Sequence, residues 1–186
     1  MLTLAGITAV SYLPYVNRQH DADAYNTTLT ALRRTRDQAA ADMRIYVVTF
    51  TNPGTITVAQ TTISSCQIPA AGNVIFTATL PTDETFMVEP GAPTSNTTAP
   101  TTPDAFGTGA FAIDIDETNN PGTTSVCFNP DGTATDAAGN LSNGVIYIGR
   151  VNDVYSARAV TLWGATGRVR GWRLYNVSGV NTWSQQ

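Results

Sequence analysis

Apolar and polar positions divide this chain into one long helical stretch followed by short alternating runs. The first sixteen residues, MLTLAGITAVSYLPYV, carry no charge; charges then begin at Arg18 and continue through Asp21, Asp23, Arg33, Arg34, Arg36, Asp37 and Asp42. In that second half Tyr25, Leu29, Leu32, Ala39 and Met43 recur at helical spacing, so one apolar stripe can face a core while the arginines stay in water. No Gly or Pro interrupts the run from Tyr15 to Ile45. The pattern predicts one helix over Met1 to about Arg44, apolar all round at its start, one-sided afterwards, and bent at Pro14.

After the helix the period changes from 3.6 to 2. Ile45–Thr51 (IYVVTFT) and Thr55–Gln60 (TITVAQ) flank Asn52-Pro53-Gly54 and read as a hairpin. Cys66–Ile68 and Asn73–Leu80 are the next candidate strands. Residues 81–109, rich in Thr, Pro, Gly and Asn, offer little to bury and read as a long surface excursion, partly disordered. Strands resume at Ala110–Ile115, Ser125–Asn129, Asn143–Arg150, Tyr155–Trp163 and Arg168–Tyr175, with Pro130-Asp131-Gly132 and Gly164–Gly167 as turns. One helix followed only by hairpin-like strands predicts an α+β fold, a long N-terminal helix packed on antiparallel sheets.

The 186 residues suffice for one domain plus the helix. Charged residues make up only 13% of the chain, which suits a β-rich, low-charge surface better than a cytosolic helical enzyme; all ten basic residues are arginine, a compositional bias with no physical account. Charge is unevenly spread. Residues 1–50 hold five arginines against four acids; residues 51–144 hold nine acids and no arginine; residues 145–186 hold five arginines against Asp153 alone. An acidic middle and a basic tail imply different partners, or attraction to each other.

Sixteen uncharged residues fall short of the ~20 that span a bilayer as a helix. A secretory signal would want a positive start and a small-residue cleavage site, and neither is present. A buried core helix and a truncated membrane anchor remain. Cys66 and Cys127 pair if the chain is exported, which in the chain-entropy account would stabilise it by ~4 kcal/mol; otherwise they are two buried thiols.

The segment AGITAVSYLPYVNRQ resembles the latter part of a type IV pilin N-terminal helix. LTALRRTRDQAAADMRIYVVTF is similar to the GspH/FimT family of minor pilins and pseudopilins, where an Arg-x-x-Ala pair, here Arg36 and Ala39, precedes the first strand. FNPDGT (128–133), NGVIYIG and a closing GRVR resemble the C-terminal half of that family. The prepilin motif, Gly then Phe-Thr-Leu-x-Glu, is absent. Aligning Pro14 with the family's helix proline implies about eight residues upstream, enough to bring the apolar run to a membrane's thickness.

The resemblance implies residues 1–16 as a partial transmembrane and filament-core segment and residues 17–186 as the globular domain. It implies an inner-membrane, single-pass subunit with a periplasmic domain, later built into a filament beside other pilin or pseudopilin subunits. A minor pilin of a type IV pilus is the first expectation and a type II secretion pseudopilin the second. A secreted β-sandwich binding module is the alternative of another class.

Nothing marks a catalytic centre. His20, the single histidine, lies beside Asp21 and Asp23 and reads as part of a solvated face, so no enzymatic activity and no cofactor are expected. Asp114, Asp116 and Glu117, with Asn119 and Asn120, make an oxygen-rich run that could suit Ca²⁺ but lacks the glycine of an EF-hand loop; a solvated acidic turn is the simpler reading. In GRVRGWRLY, Arg168 and Arg170 share a strand face, and Arg173 joins them only through a bulge, for which Gly171 is the candidate. Some FimT-like pilins carry Gly-Arg-x-Arg associated with DNA uptake, and Gly167, Arg168 and Arg170 match it. The resemblance therefore implies weak, sequence-independent DNA contact through Arg168, Arg170 and Arg173. The competing reading is a strand whose arginines answer the acidic middle.

Overall fold

A computed structural model describes residues 2–61, 66, 73–94, 102–115 and 121–186, with residues 2–13 described as backbone alone. Helix α1 (Leu2–Asp42) continues through Pro14 and occupies 41 residues. Its buried face is Asp21, Ala24, Thr28, Leu29, Ala31, Leu32, Thr35 and Ala39, spaced three or four apart, while Arg33 and Arg34 are exposed. The two threonines satisfy their hydroxyls inside the helix, Thr28 donating to the Ala24 carbonyl and Thr35 to the Ala31 carbonyl. The stripe expected from the sequence is right at Leu29, Leu32 and Ala39 and wrong at Met43, which is 73% exposed. Met43 takes φ 54°, ending the helix in the left-handed conformation and turning its side chain outward.

Two antiparallel sheets close on this helix. The first consists of β1 (Ile45–Thr51), β2 (Thr55–Thr61), β3 (Val74–Thr79), β6 (Ser125–Phe128) and β7 (Ala134–Thr135), in the order β3-β2-β1-β6-β7. The second has the order β11-β10-β9-β8-β4, from β4 (Thr85–Phe86), β8 (Gly144–Arg150), β9 (Asp153–Trp163), β10 (Arg168–Val177) and β11 (Val180–Gln185); β5 (Ile113–Ile115) also pairs with β8. The expected α+β architecture is therefore present. β11 went unread, although Ser178-Gly179 between two valines is a two-residue hairpin signal.

Alternation gives each strand two jobs. Tyr46, Val48 and Phe50 of β1, Val126 and Phe128 of β6, Ile146 and Ile148 of β8, and Val160 and Leu162 of β9 meet the helix in one core. Val47, Ala59, Cys66 and Cys127 pack on the far side of the first sheet. Val145, Tyr147, Ala157, Ala159, Leu174 and Trp183 pack on the far side of the second, where Phe106 covers them. The Thr/Pro-rich stretch is thus no loose excursion where it is described: Glu84, Phe86, Glu89, Thr102 and Phe106 are all buried. Residues 95–101 of it lie outside the described residues, as does most of the strand expected at Cys66–Ile68.

Leu32 is fully buried and Arg34 is exposed, its guanidinium 4.8 Å from the Phe76 ring. Leu32→Asp should therefore unfold the domain, stranding a charge at a cost of several kcal/mol, while Arg34→Asp should cost about 1 kcal/mol or less. Thermal melts of the two variants check the helix register.

Candidate nucleic-acid interface

The basic residues near the C-terminus sit on one hairpin, β9–β10, in which Trp163 pairs with Arg168 across the Gly164–Gly167 turn. Alternation places Arg168, Arg170 and Trp172 on the face away from the helix. Arg168 is exposed. A cavity of about 410 Å³ is lined by Arg36, Trp163, Thr166, Arg168 and Arg170. Arg170 already has an anion: its Nη1 donates to Asp104 at 2.6 Å, and its guanidinium lies 5.8 Å from the Trp163 ring centre.

Asp104 is what sequence reasoning missed. It lies in the Thr/Pro-rich stretch with φ 53°, a backbone state that aspartate tolerates better than most residues. Its carboxylate also accepts from the Thr161 hydroxyl at 2.6 Å and the Trp163 indole at 3.1 Å. Three donors converging on one buried carboxylate hold the turn in place and halve the free charge of the Arg168–Arg170 pair.

Arg173 does not join them. The β9–β10 register runs without a shift from Arg168 to Arg173, so Arg173 lies on the opposite face, level with Arg158 and 5.0 Å from the Tyr175 ring centre. Gly171 is no bulge. Its missing side chain makes room for the Tyr25 ring of α1, which a Cβ would overlap. Gly167 has a second such reason: a Cβ there would strike the Gly132 carbonyl and crowd Arg36. The Asn-Pro-Asp-Gly-Thr turn, the Gly-Arg-Val-Arg turn and helix residue Arg36 therefore meet at one point.

At the other end of the domain a buried ionic cluster joins α1 to the second sheet. Arg150 Nη2 donates to Asp21 at 2.8 Å, to Glu84 at 2.7 Å and to the Asn17 carbonyl at 2.8 Å, while Nε donates to Asp83 at 3.0 Å. Asp83 also takes His20 Nδ1 at 2.7 Å. His20 and Asp21 are thus not the solvated face expected; Asp21 is 5% exposed. One guanidinium faces four carboxylates, Asp21, Asp83, Glu84 and, at 3.6 Å, Asp153, and burial with the adjoining Asp21 pushes Glu84 up to about 8, which favours its protonated form at neutral pH. Arg158, buried, has its pKa lowered by desolvation and by Arg173, and its Nη1 donates to the carbonyls of Tyr155, Ser156 and Ala157.

Asp114 is fully buried, and its oxygens accept from the Thr108 amide and hydroxyl and from the Gly122 amide. That is the role of a loop anchor. Asp116, Glu117, Asn119 and Asn120 lie outside the described residues, and among the described residues no cluster of metal-binding side chains occurs. Cys66 and Cys127 are joined in a disulfide that ties the segment after β2 to β6. Among the described residues no helix is long and apolar enough to cross a membrane.

A long N-terminal helix under two antiparallel sheets is a pilin-like fold. The chain is similar in structure to the type IV minor pilin FimU of Pseudomonas aeruginosa (strain PAO1), with a TM-score of 0.50 at 11% identity over 84% of this chain and 90% of that one. No family model and no curated protein sequence matches the chain.

The Glu84 shift sets a pH dependence. Its folded pKa lies above the ordinary carboxyl value of 4.5, so its contribution is fully present below about 4.5 and is lost as pH rises through about 8. Glu89, raised by burial and by Asp153, acts in the same direction. The melting temperature should fall by several degrees between pH 5.5 and 8.5, about what a few kcal/mol implies. Glu84→Gln should flatten most of that slope, which calorimetry across the pH range would measure.

Proposed function

We propose that this chain is a minor pilin subunit of a type IV pilus, built into its filament through the N-terminal half of α1. The observation that carries this is the division of one helix. Its second half packs against both sheets from Asp21 onward, whereas the sixteen residues that open the sequence are uncharged, and the helix runs on through them from Leu2. A helix that only filled a core would not need a chargeless extension of that length; a subunit that must sit in lipid and then among neighbouring helices does. The likeness of fold to a minor pilin supports the same reading. A type II secretion pseudopilin would use the same architecture, and loss of one machine or the other distinguishes them.

In its native host a tagged copy should be recovered with the inner membrane and, at low level, with filaments sheared from the cell surface. Ala9→Arg should leave the domain folded and remove it from the filament fraction. Release of the unaltered protein into the medium, independent of filaments, would point instead to a secreted β-sandwich binding module.

We further infer a weak, sequence-independent contact with DNA through Arg168, supported by Arg36 and Arg170. The exposed Arg168, with half-buried Arg36 and Arg170 beside it, offers forked donors for phosphate next to the aromatic face of Trp163. In a low-salt titration Arg168→Gln should weaken binding several-fold and Arg173→Gln, on the other face, should not. Asp104→Asn should strengthen it by releasing Arg170, and all affinities should drop as salt rises. Equal binding by wild type and Arg168→Gln would leave the arginines with a purely structural role.

A further inference from the structure

Two hairpin tips and the helix extension leave the domain at the same end. The second sheet is a meander from β8 to β11, so the turn at Val151-Asn152 and the turn at Ser178-Gly179 lie together, opposite the Gly164–Gly167 turn. Helix α1 runs antiparallel to β10: Tyr25 covers Gly171, Arg33 donates to the Val169 carbonyl, and Arg36 sits beside Gly167. Ten helical residues from Tyr25 back to Tyr15 cover ~15 Å, and four strand residues from Gly171 to Tyr175 cover ~13 Å. Tyr15 and Tyr175 are therefore at nearly one level. Arg150, bonded to the Asn17 carbonyl, fixes the other tip at that level too.

This end is apolar where it is most exposed. Val151 is 61% exposed, Tyr155 50%, Val177 57% and Val180 49%. The segment 176–182, NVSGVNT, has no charge. Arg150 engages Asp21, Asp83 and Glu84, and holds the half-exposed Asp153 of the tip at 3.6 Å, so valines, tyrosines and amides make up most of the outward surface, with the exposed Arg18 alongside. Tyr15, Tyr155 and Tyr175 near one level are the kind of residue that sits at a membrane–water interface, and the exposed valines beside them add apolar area that headgroups can cover.

We propose that this end of the second sheet rests on the headgroup surface of the bilayer that receives residues 1–16, so that the domain has a defined seat on the membrane before assembly. A lipid surface is the occupant because the uncharged continuation of α1 departs from the same end, placing whatever accepts it directly beneath the tips. The inference rests on the membrane-rooted reading above.

The test uses the full chain in vesicles of phosphatidylethanolamine and phosphatidylglycerol. Because Cys66 and Cys127 are bonded, Val177→Cys introduces one free thiol for an environment-sensitive fluorophore, and Ala165→Cys does so at the opposite end. Lipids spin-labelled at the headgroup should quench the label at 177 severalfold more than the label at 165. Equal quenching in protein that still floats with the vesicles overturns the seat and leaves the membrane anchor standing. Protein that fails to float overturns both. A label at 177 that responds to protein concentration but not to spin-labelled lipid assigns the tips to a second copy and also overturns the seat.

Discussion

Everything in this domain depends on how closely two sheets can approach one helix. The buried face of α1 is built mostly from small side chains, Ala24, Thr28, Ala31, Thr35 and Ala39, with Leu29 and Leu32 as its larger members. Small residues let strand side chains from both sheets reach the helix backbone, and close packing then supplies most of the helix's stability. Gly171 carries the same logic into the sheet: where the helix does present a large residue, Tyr25, the strand gives up its side chain. Helix and sheets therefore fit at one register only. The uncharged first half of α1 inherits its direction from that fit.

Charge secures α1 to the second sheet at the Arg150 end and pins the Thr/Pro-rich stretch to the far face of that sheet at the Arg170 end. The acidic middle and the basic tail, separate in sequence, meet as Asp83 and Glu84 on Arg150 and as Asp104 on Arg170. These pairs are buried well enough that removing one partner leaves an unpaired charge, a larger loss than the pair's own net worth. At the Arg150 end the carboxylates outnumber the cations, Arg150 and the neighbouring Arg158, and the raised pKa of Glu84 reduces that excess without removing it. At the Arg170 end one acid meets two arginines of the same face, so positive charge is left over at Arg168. The cluster at one end is closed and the other is open to an anion.

The fold was legible because period carries it: alternation located the long strands, and helical spacing located Leu29, Leu32 and Ala39. Short strands such as β4 and β7 were not legible, since two residues have no period. Met43 continued the helical spacing but not the helix, because a single left-handed residue leaves no mark in a hydrophobic pattern. The Thr/Pro-rich stretch misled for a related reason. It has few apolar residues, yet Val88, Ala92 and Phe106 pack on the far side of the second sheet, and Asp104 and the Pro93 carbonyl bond to it. Pairing between segments some sixty residues apart, as of Asp104 with Arg170 or of Cys66 with Cys127, is set by topology and not by local composition.

Arg36 shows how local motifs acquire one meaning in three dimensions. Read along the chain, Arg36-x-x-Ala39, Asn129-Pro-Asp-Gly-Thr133 and Gly167-Arg-x-Arg170 are three weak signals in three regions. In the fold the two turns touch back to back through Gly132 and Gly167, and the Arg36 side chain lies against both. A side chain at Gly167 would separate the turns, and moving the turns would shift Arg36 away from Arg168. Ala39, one turn further along the helix, is buried and keeps that face of α1 against the sheets. The glycines are therefore requirements of packing first, and the basic cavity is a consequence. The shape of that cavity is set by the same contacts that hold helix and sheets together, so a substitution there should be judged first by its effect on folding.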